Sequence, residues 1–248
     1  MTATTSLLGC AASRLGGERV RVTTLVPPGA CPGHFDMKPS EARSVEECDL
    51  LLRHGFESFL PRSLPRSVRT LAVRPSENEM TPPGQAEAAR SIAAAFAGMR
   101  PAWGAFFRAR LDAYLAELDA AGRVIARDAE ALGVRGVPVA VSVRLEPFFR
   151  WMGFREIFAF GIPEDLTPRE MARHVERARR MGVALVADNA QSGADTGLPI
   201  ARGAGAGHVA LSFFPERGGY VETLRRNAGL VIEGVKAWEA KRSQRSGR

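Results

Sequence analysis

Short β-branched and aliphatic runs recur near residues 19–25, 69–73, 138–143, 156–160, 183–187 and 208–213, with amphipathic stretches between them. Runs of this length bounded by turn residues predict strands. Their alternation with helical patterns predicts an α/β fold with mainly parallel sheets. The longest helical pattern begins after Pro101, with Trp103, Phe107, Leu111, Tyr114, Leu118, Ile125 and Leu132 close to three-to-four spacing. Roughly 32 residues at 1.5 Å each span about 50 Å, more than the width of a small lobe. The expected organisation is therefore an N-terminal α/β lobe over 1–100, a connecting backbone helix over 101–133, a C-terminal α/β lobe over 134–240 and a disordered tail over 241–248. A spine of this kind predicts little lobe movement on ligand binding. A second helix start is marked by Thr167 as N-cap, Pro168 at the first position and Glu170 completing a capping box.

With 45% hydrophobic residues in 248, the chain can bury a full core. Its longest apolar runs, such as Val183-Ala184-Leu185-Val186-Ala187, fall far short of the ~20 residues that cross a bilayer. The formal charge of +7 invites a nucleic-acid reading, but Lys241, Arg242, Arg245 and Arg248 lie in the polar tail, leaving +3 for the body. The arginines of 169–180 alternate with acids and do not cluster with aromatics, so no nucleic-acid partner is expected. Three widely spaced cysteines imply no disulfide framework, and Cys10 and Cys48, among small apolar residues, read as core. The N-terminus carries neither the basic nor the apolar region of a secretory signal.

Two glycine-containing segments are set aside. Gly203-Ala-Gly-Ala-Gly207 precedes a strand, whereas a phosphate-cradling loop follows one. Asn189-Ala-Gln-Ser192-Gly193 lacks the glycine two residues before the serine that a nucleophile elbow needs. His174 and His208 have no partner at ligand spacing. The segment Thr23–Ser40 differs: a β-like run breaks into a stiff Pro/Gly loop presenting Cys31 and His34. Prolines fix φ and glycines permit tight backbone, so thiol and imidazole are held with little freedom at a strand exit. This is half of a metal site. Two other readings remain: a structural loop with a buried thiol and a backbone-bonded imidazole, or a thiol enzyme in which His34 activates Cys31. The enzyme reading lacks an orienting third group and an oxyanion site, so the chain is expected not to be an enzyme.

The order of these features resembles the substrate-binding proteins of ABC transporters that carry zinc or manganese, the helical-backbone TroA-like family. Leu25-Val26-Pro27-Pro28-Gly29 followed by Pro39-Ser40 is similar to the family's first loop, and Cys48-Asp49-Leu50 through Leu60 to the segment after it. Trp151-Met152-Gly153-Phe154, the helix from Thr167, Asp188-Asn189-Ala190-Gln191-Ser192-Gly193, and Tyr220 with Asn227 resemble the second lobe. A variant branch with Cys-Pro-Gly-His in the first loop is the better match. The resemblance implies two α/β lobes joined by one long helix, a zinc-like divalent ion as transported ligand, an ABC permease as partner, a monomer, and a periplasmic or otherwise extracytoplasmic location. A leader ahead of Met1 is then expected in the native gene.

The family's usual site takes histidines from several loops and a carboxylate from the second lobe. Here Gly33 falls at the first histidine, with His34 one residue later. Glu77-Asn78-Glu79-Met80-Thr81-Pro82 stands where the second is expected, Ser142-Val143-Arg144-Leu145-Glu146 at the third, and Ser212-Phe213 near the late aspartate. The candidate donors are thus Cys31 and His34, completed from Glu77, Glu79, Glu146 and Asp188. Asp188 is the strongest of the completing four because it follows a strand at the carboxyl edge of a parallel sheet. An alternative keeps the scaffold but binds a metal chelate such as a corrinoid or siderophore, in a cleft lined by Phe35, Phe148, Arg144 and Phe213.

Overall fold

A computed structural model of the chain describes residues 1–61, 63–216 and 218–246. The chain divides into two units, Met1–Ala121 with Phe214–Thr223, and Gly122–Phe213 with Leu224–Arg248. The first contains β1 (Thr2–Ala3), α1 (Ser6–Gly16), β2 (Thr23–Thr24), α2 (Pro39–Glu46), β3 (Leu50–Arg53), β4 (Arg69–Ala72) and α3 (Pro82–Met99). Helix α4 (Gly104–Leu132) follows a 3-10 turn at Pro101–Trp103, and the boundary between units falls within it. The second unit contains β5 (Pro138–Ser142), α5 (Glu146–Trp151), β6 (Arg155–Phe160), α6 (Pro168–Arg180), β7 (Leu185–Asn189), α7 (Ala190–Gly193), α8 (Leu198–Ala204) and β8 (Gly207–Leu211). Helix α9 (Gly219–Ser246) starts in the first unit and continues in the second. The expected α/β class, the two parallel sheets and the long backbone helix are all present.

In unit 1 the sheet order is β2-β1-β3-β4, all parallel, with Thr2 level with Thr23 on one side and Leu51 on the other. Leu50, Leu51 and Leu52 are all buried, the continuous apolar run of a strand covered on both faces. Helix α1 buries Leu7, Leu8, Ala11, Ala12 and Leu15, and α3 buries Ala88, Ala89, Ile92 and Phe96. The small alanines let these helices pack together. Gly84, in the first turn of α3, lies under the chain that precedes the helix. A methyl group there would come within 2.2 Å of the Asn78 carbonyl oxygen and 2.6 Å of that of Glu77. Backbone cannot yield as a side chain can. Gly84→Ala is therefore expected to displace residues 77–80 and cost about 2 kcal/mol, a drop of about 5 °C in Tm. An unchanged melting curve would show that this segment shifts freely.

In unit 2 the order is β6-β5-β7-β8, again parallel, with Val139 level with Leu185 and Ala140 with Val186. Val139, Ala140, Val141, Leu185, Val186 and Ala187 are all fully buried in the two central strands. Phe158, Phe160, Ala178, Val183, Ile200 and Ala201 form a core on one face of the sheet, beneath α6 and α8. Helix α6 starts with the expected capping box: Thr167 Oγ1 accepts from the Glu170 N–H, and Glu170 accepts from the Thr167 N–H.

Three expectations are corrected. The strand over 19–25 shrinks to Thr23–Thr24, because Gly17–Arg19 forms a 3-10 turn, and two further strands, β1 and β3, complete the sheet. The C-terminal lobe does not run unbroken over 134–240: Phe214–Thr223 returns to unit 1, so Tyr220 and Asn227, grouped together by resemblance, fall in different units. The tail expected to be disordered is helical through Ser246, and residues 247–248 lie outside the described residues. No helix among the described residues is long and apolar enough to cross a membrane.

Candidate functional site

Parallel sheets gather loops at the carboxyl ends of their strands, the usual place for ligands in α/β folds. In unit 1 that edge carries Thr4 and Thr5 after β1, the Pro/Gly loop after β2, His54–Glu57 after β3 and the segment to Thr81 after β4. At its centre is a buried polar set. Thr5 is the N-cap of α1, its Oγ1 accepting from the Leu8 N–H, so its own O–H is left to donate. His54 Nε2 lies 2.9 Å from that oxygen, and His54 Nδ1 lies 3.0 Å from Glu79 Oε2. A carboxylate can only accept, so His54 Nδ1–H donates to Glu79, and in the neutral ring Nε2 is then the acceptor for the Thr5 hydroxyl. The ring stacks on the exposed Phe56 at 5.0 Å.

Glu79 Oε1 is buried without a hydrogen-bond partner, as are Gln85 Oε1 and the Tyr220 hydroxyl. Gln85 Nε2 donates to the Tyr114 hydroxyl at 3.0 Å. Burial raises the Tyr220 hydroxyl well above its ordinary pKa, with Tyr114 and Glu79 adding to the effect. Glu57 closes the other side. Its carboxylate accepts from Thr4 Oγ1 and from the backbone N–H groups of His54 and Gly55, each at 2.6 Å. Burial pushes its pKa up, but these donors outweigh burial and hold it below the usual carboxylate range.

The Pro/Gly loop is ordered by backbone hydrogen bonds, both to the neighbouring strand and within the loop. Leu25 and Val26 donate to the carbonyls of Ala3 and Thr4, Ala30 closes a turn onto Pro27, and His34 donates to the Cys31 carbonyl over a 3-10 turn at Pro32–His34. Cys31 is half-buried and His34 exposed, while Phe35 is anchored edge-on against Phe59 at 5.0 Å. All three cysteines are free; Cys10 and Cys48, expected in the core, are only half-buried.

Of the completing carboxylates, only Glu79 is buried at this edge. Glu77 is exposed. Glu146 belongs to unit 2, half-buried and 3.6 Å from Arg150. Asp188, expected as the second lobe's donor, is fully buried and committed elsewhere: the Gly197 N–H donates to both its oxygens, and His208 Nε2 lies 2.6 Å from Oδ2. His208 thus has a partner after all, one that spacing could not reveal because Asp188 and His208 sit on adjacent strands. Among the described residues, no three His, Cys, Asp or Glu side chains converge as a metal site. The aromatic lining proposed for a chelate also fails at Phe148, which is fully buried. His174 stacks on Phe158 at 4.7 Å, and burial lowers its pKa.

The Asp-Asn-x-Gln-Ser-Gly motif builds the end of the unit 2 sheet. Asn189 caps α7, and Gln191 spans to Ser212 Oγ and the Phe213 N–H, both at 2.8 Å. Asn227 brackets Ser212 through that residue's N–H and carbonyl. The sequence reading passed over His54 and Thr5. The available signal was a histidine directly after the Leu-Leu-Leu-Arg run, at the exit of an unassigned strand.

Residues 1–234 match the family model ZnuA, described as zinc-uptake complex component A, periplasmic. A Thermotoga maritima protein named for metal binding is 41% identical over 58 residues, 23% of this chain and 22% of that protein, so the chain matches less than a quarter of that relative. Among solved structures, ZnuA superimposes with a TM-score of 0.80 at 19% identity, covering 94% of this chain and 98% of that one. A zinc-bound ZnuA deletion mutant gives 0.80 at 18%, with 94% and 96% covered. A Mn-bound periplasmic metal-binding protein from Candidatus Liberibacter asiaticus gives 0.80 at 16%, with 94% and 98% covered. At these identities the structural likeness establishes the fold.

Proposed function

Because the chain belongs to the ZnuA family of periplasmic zinc-uptake components, we propose that it is the substrate-binding protein of an ABC importer and carries a zinc-like divalent ion as cargo. It acts outside the cytoplasm as a monomer, hands the ion to a permease and catalyses no reaction. The observation that carries this reading is Glu79: a carboxylate at the carboxyl edge of a parallel sheet, oriented by His54 and with its second oxygen buried and unpartnered. A buried carboxylate oxygen without a donor is costly, and a cation supplies what it lacks. Cys31 and His34 add a thiolate and an imidazole from the neighbouring loop, and the full donor set is assembled on binding. Thiolate and imidazole suit zinc, whereas manganese prefers oxygen-rich sites.

Calorimetric titration of zinc and manganese into the metal-free protein tests this. Zinc should bind more tightly than manganese, and Cys31→Ser, His34→Ala and Glu79→Gln should each weaken zinc at least tenfold, while His174→Ala should not. Binding should weaken as pH falls, because the donors must be deprotonated. Absence of binding by either ion would overturn the function. Equal zinc affinity in the wild type and all three donor variants would overturn the site.

A further inference from the structure

The amino edge of the unit 1 sheet, opposite the edge that carries Glu79, holds a pocket of about 200 Å³. Its floor is apolar: Leu50 at the start of β3, Phe96 and Met99 near the end of α3, and Trp103 and Phe107 from the turn into α4. Its rim is cationic, with Arg19, Arg21 and Arg100 against a single acid, Asp49. Arg19 lies 5.3 Å over the Trp103 ring and 5.9 Å over Phe106, and it meets Glu18 only at 3.8 Å. Arg21 and Arg100 are exposed and form no ion pair among the described residues.

From this arrangement we infer that unit 1 has a second ligand site, for a small organic carboxylate with a planar apolar body. Guanidinium forks match a carboxylate in two parallel hydrogen bonds, and the aromatic floor takes the hydrophobic part. A bare inorganic anion would satisfy the rim and leave the floor wet. A neutral aromatic would fill the floor and leave the rim unanswered. The site needs no metal and stands independently of the cargo reading.

Benzoate and inorganic phosphate are suitable probes, titrated into the full-length protein and followed by calorimetry and by Trp103 fluorescence. Benzoate should bind saturably, with phosphate at least tenfold weaker. The double variant Arg21→Ala/Arg100→Ala should weaken benzoate at least tenfold, and Trp103→Leu should weaken it while retaining its salt dependence. Zinc affinity should be the same in all these variants, because their side chains lie at the other sheet edge. Absence of saturable benzoate binding, equal binding by the arginine variant, or phosphate binding as tightly as benzoate would each overturn the proposal, the last by reducing the rim to general charge attraction. Failure of zinc binding with benzoate binding intact would strike the cargo reading alone.

Discussion

Glu57→Ala should destabilise the protein by about 3–5 kcal/mol, because it strands the Thr4 hydroxyl and the His54 and Gly55 N–H groups at once in a buried place. The loss should also reach the site, since the same donors fix the turn that carries His54. The pH dependence has a definite sign. The Glu57 carboxyl titrates below its ordinary range in the folded chain, so the unfolded chain binds more protons in acid. Its stabilisation is complete above the unfolded value of about 4.3 and is lost as pH falls through the lower folded value. Urea unfolding at pH 7 and at several points between pH 3 and 5 would measure both effects. Glu57→Gln should flatten this acid limb while losing less stability than alanine. A loss below about 1 kcal/mol in the alanine variant would show that solvent reaches the stranded donors.

Asp188→Ala should have a comparable effect on unit 2, about 3–5 kcal/mol, because it removes the partner of both the Gly197 N–H and His208 from a fully buried position. Zinc affinity, measured at a temperature where the variant is folded, should stay within twofold of wild type. These two readouts separate a structural carboxylate from a ligand. Unchanged stability with lost zinc affinity would restore Asp188 as the second lobe's donor. The expected result instead makes it the counterpart of Glu79 in one respect only: each unit has a carboxylate–histidine pair at its sheet, His54–Glu79 in one and His208–Asp188 in the other. The two differ in what remains free. Both Asp188 oxygens are engaged, whereas Glu79 keeps Oε1.

Much of this architecture was legible in the amino-acid order. Apolar runs bounded by turn residues marked six of the eight strands, and the three-to-four spacing from Trp103 onward marked α4, because burial against a sheet or along a helix imposes its own period on the chain. Capping chemistry is equally local, so Thr167 and Glu170 announced the start of α6. The two strands that no such run marked, β1 and β3, fail that test for physical reasons, although the family resemblance places a first strand at about Thr2. Two-residue β1 is too short to show a period, and β3 is a leucine run that a buried helix could share.

The candidate site divides along the same line. Its loop was readable, since Pro and Gly restrict backbone wherever they occur and Cys31 and His34 lie three residues apart. The buried pairs were not: Thr5 meets His54 across 49 residues, and Asp188 meets His208 across 20. Nothing in linear spacing says which carboxylate will keep an oxygen free and which will spend both on its neighbours. That depends on the order in which parallel strands lie side by side, β1 beside β3 and β7 beside β8. The sequence by itself therefore determined the elements, the fold class and a donor-bearing loop, because these follow from local period and backbone restriction. Only the tertiary structure decided that Glu79 keeps an unpartnered oxygen while both Asp188 oxygens accept hydrogen bonds, because hydrogen-bond capacity in a dry interior is shared out among whichever groups the strand order brings together.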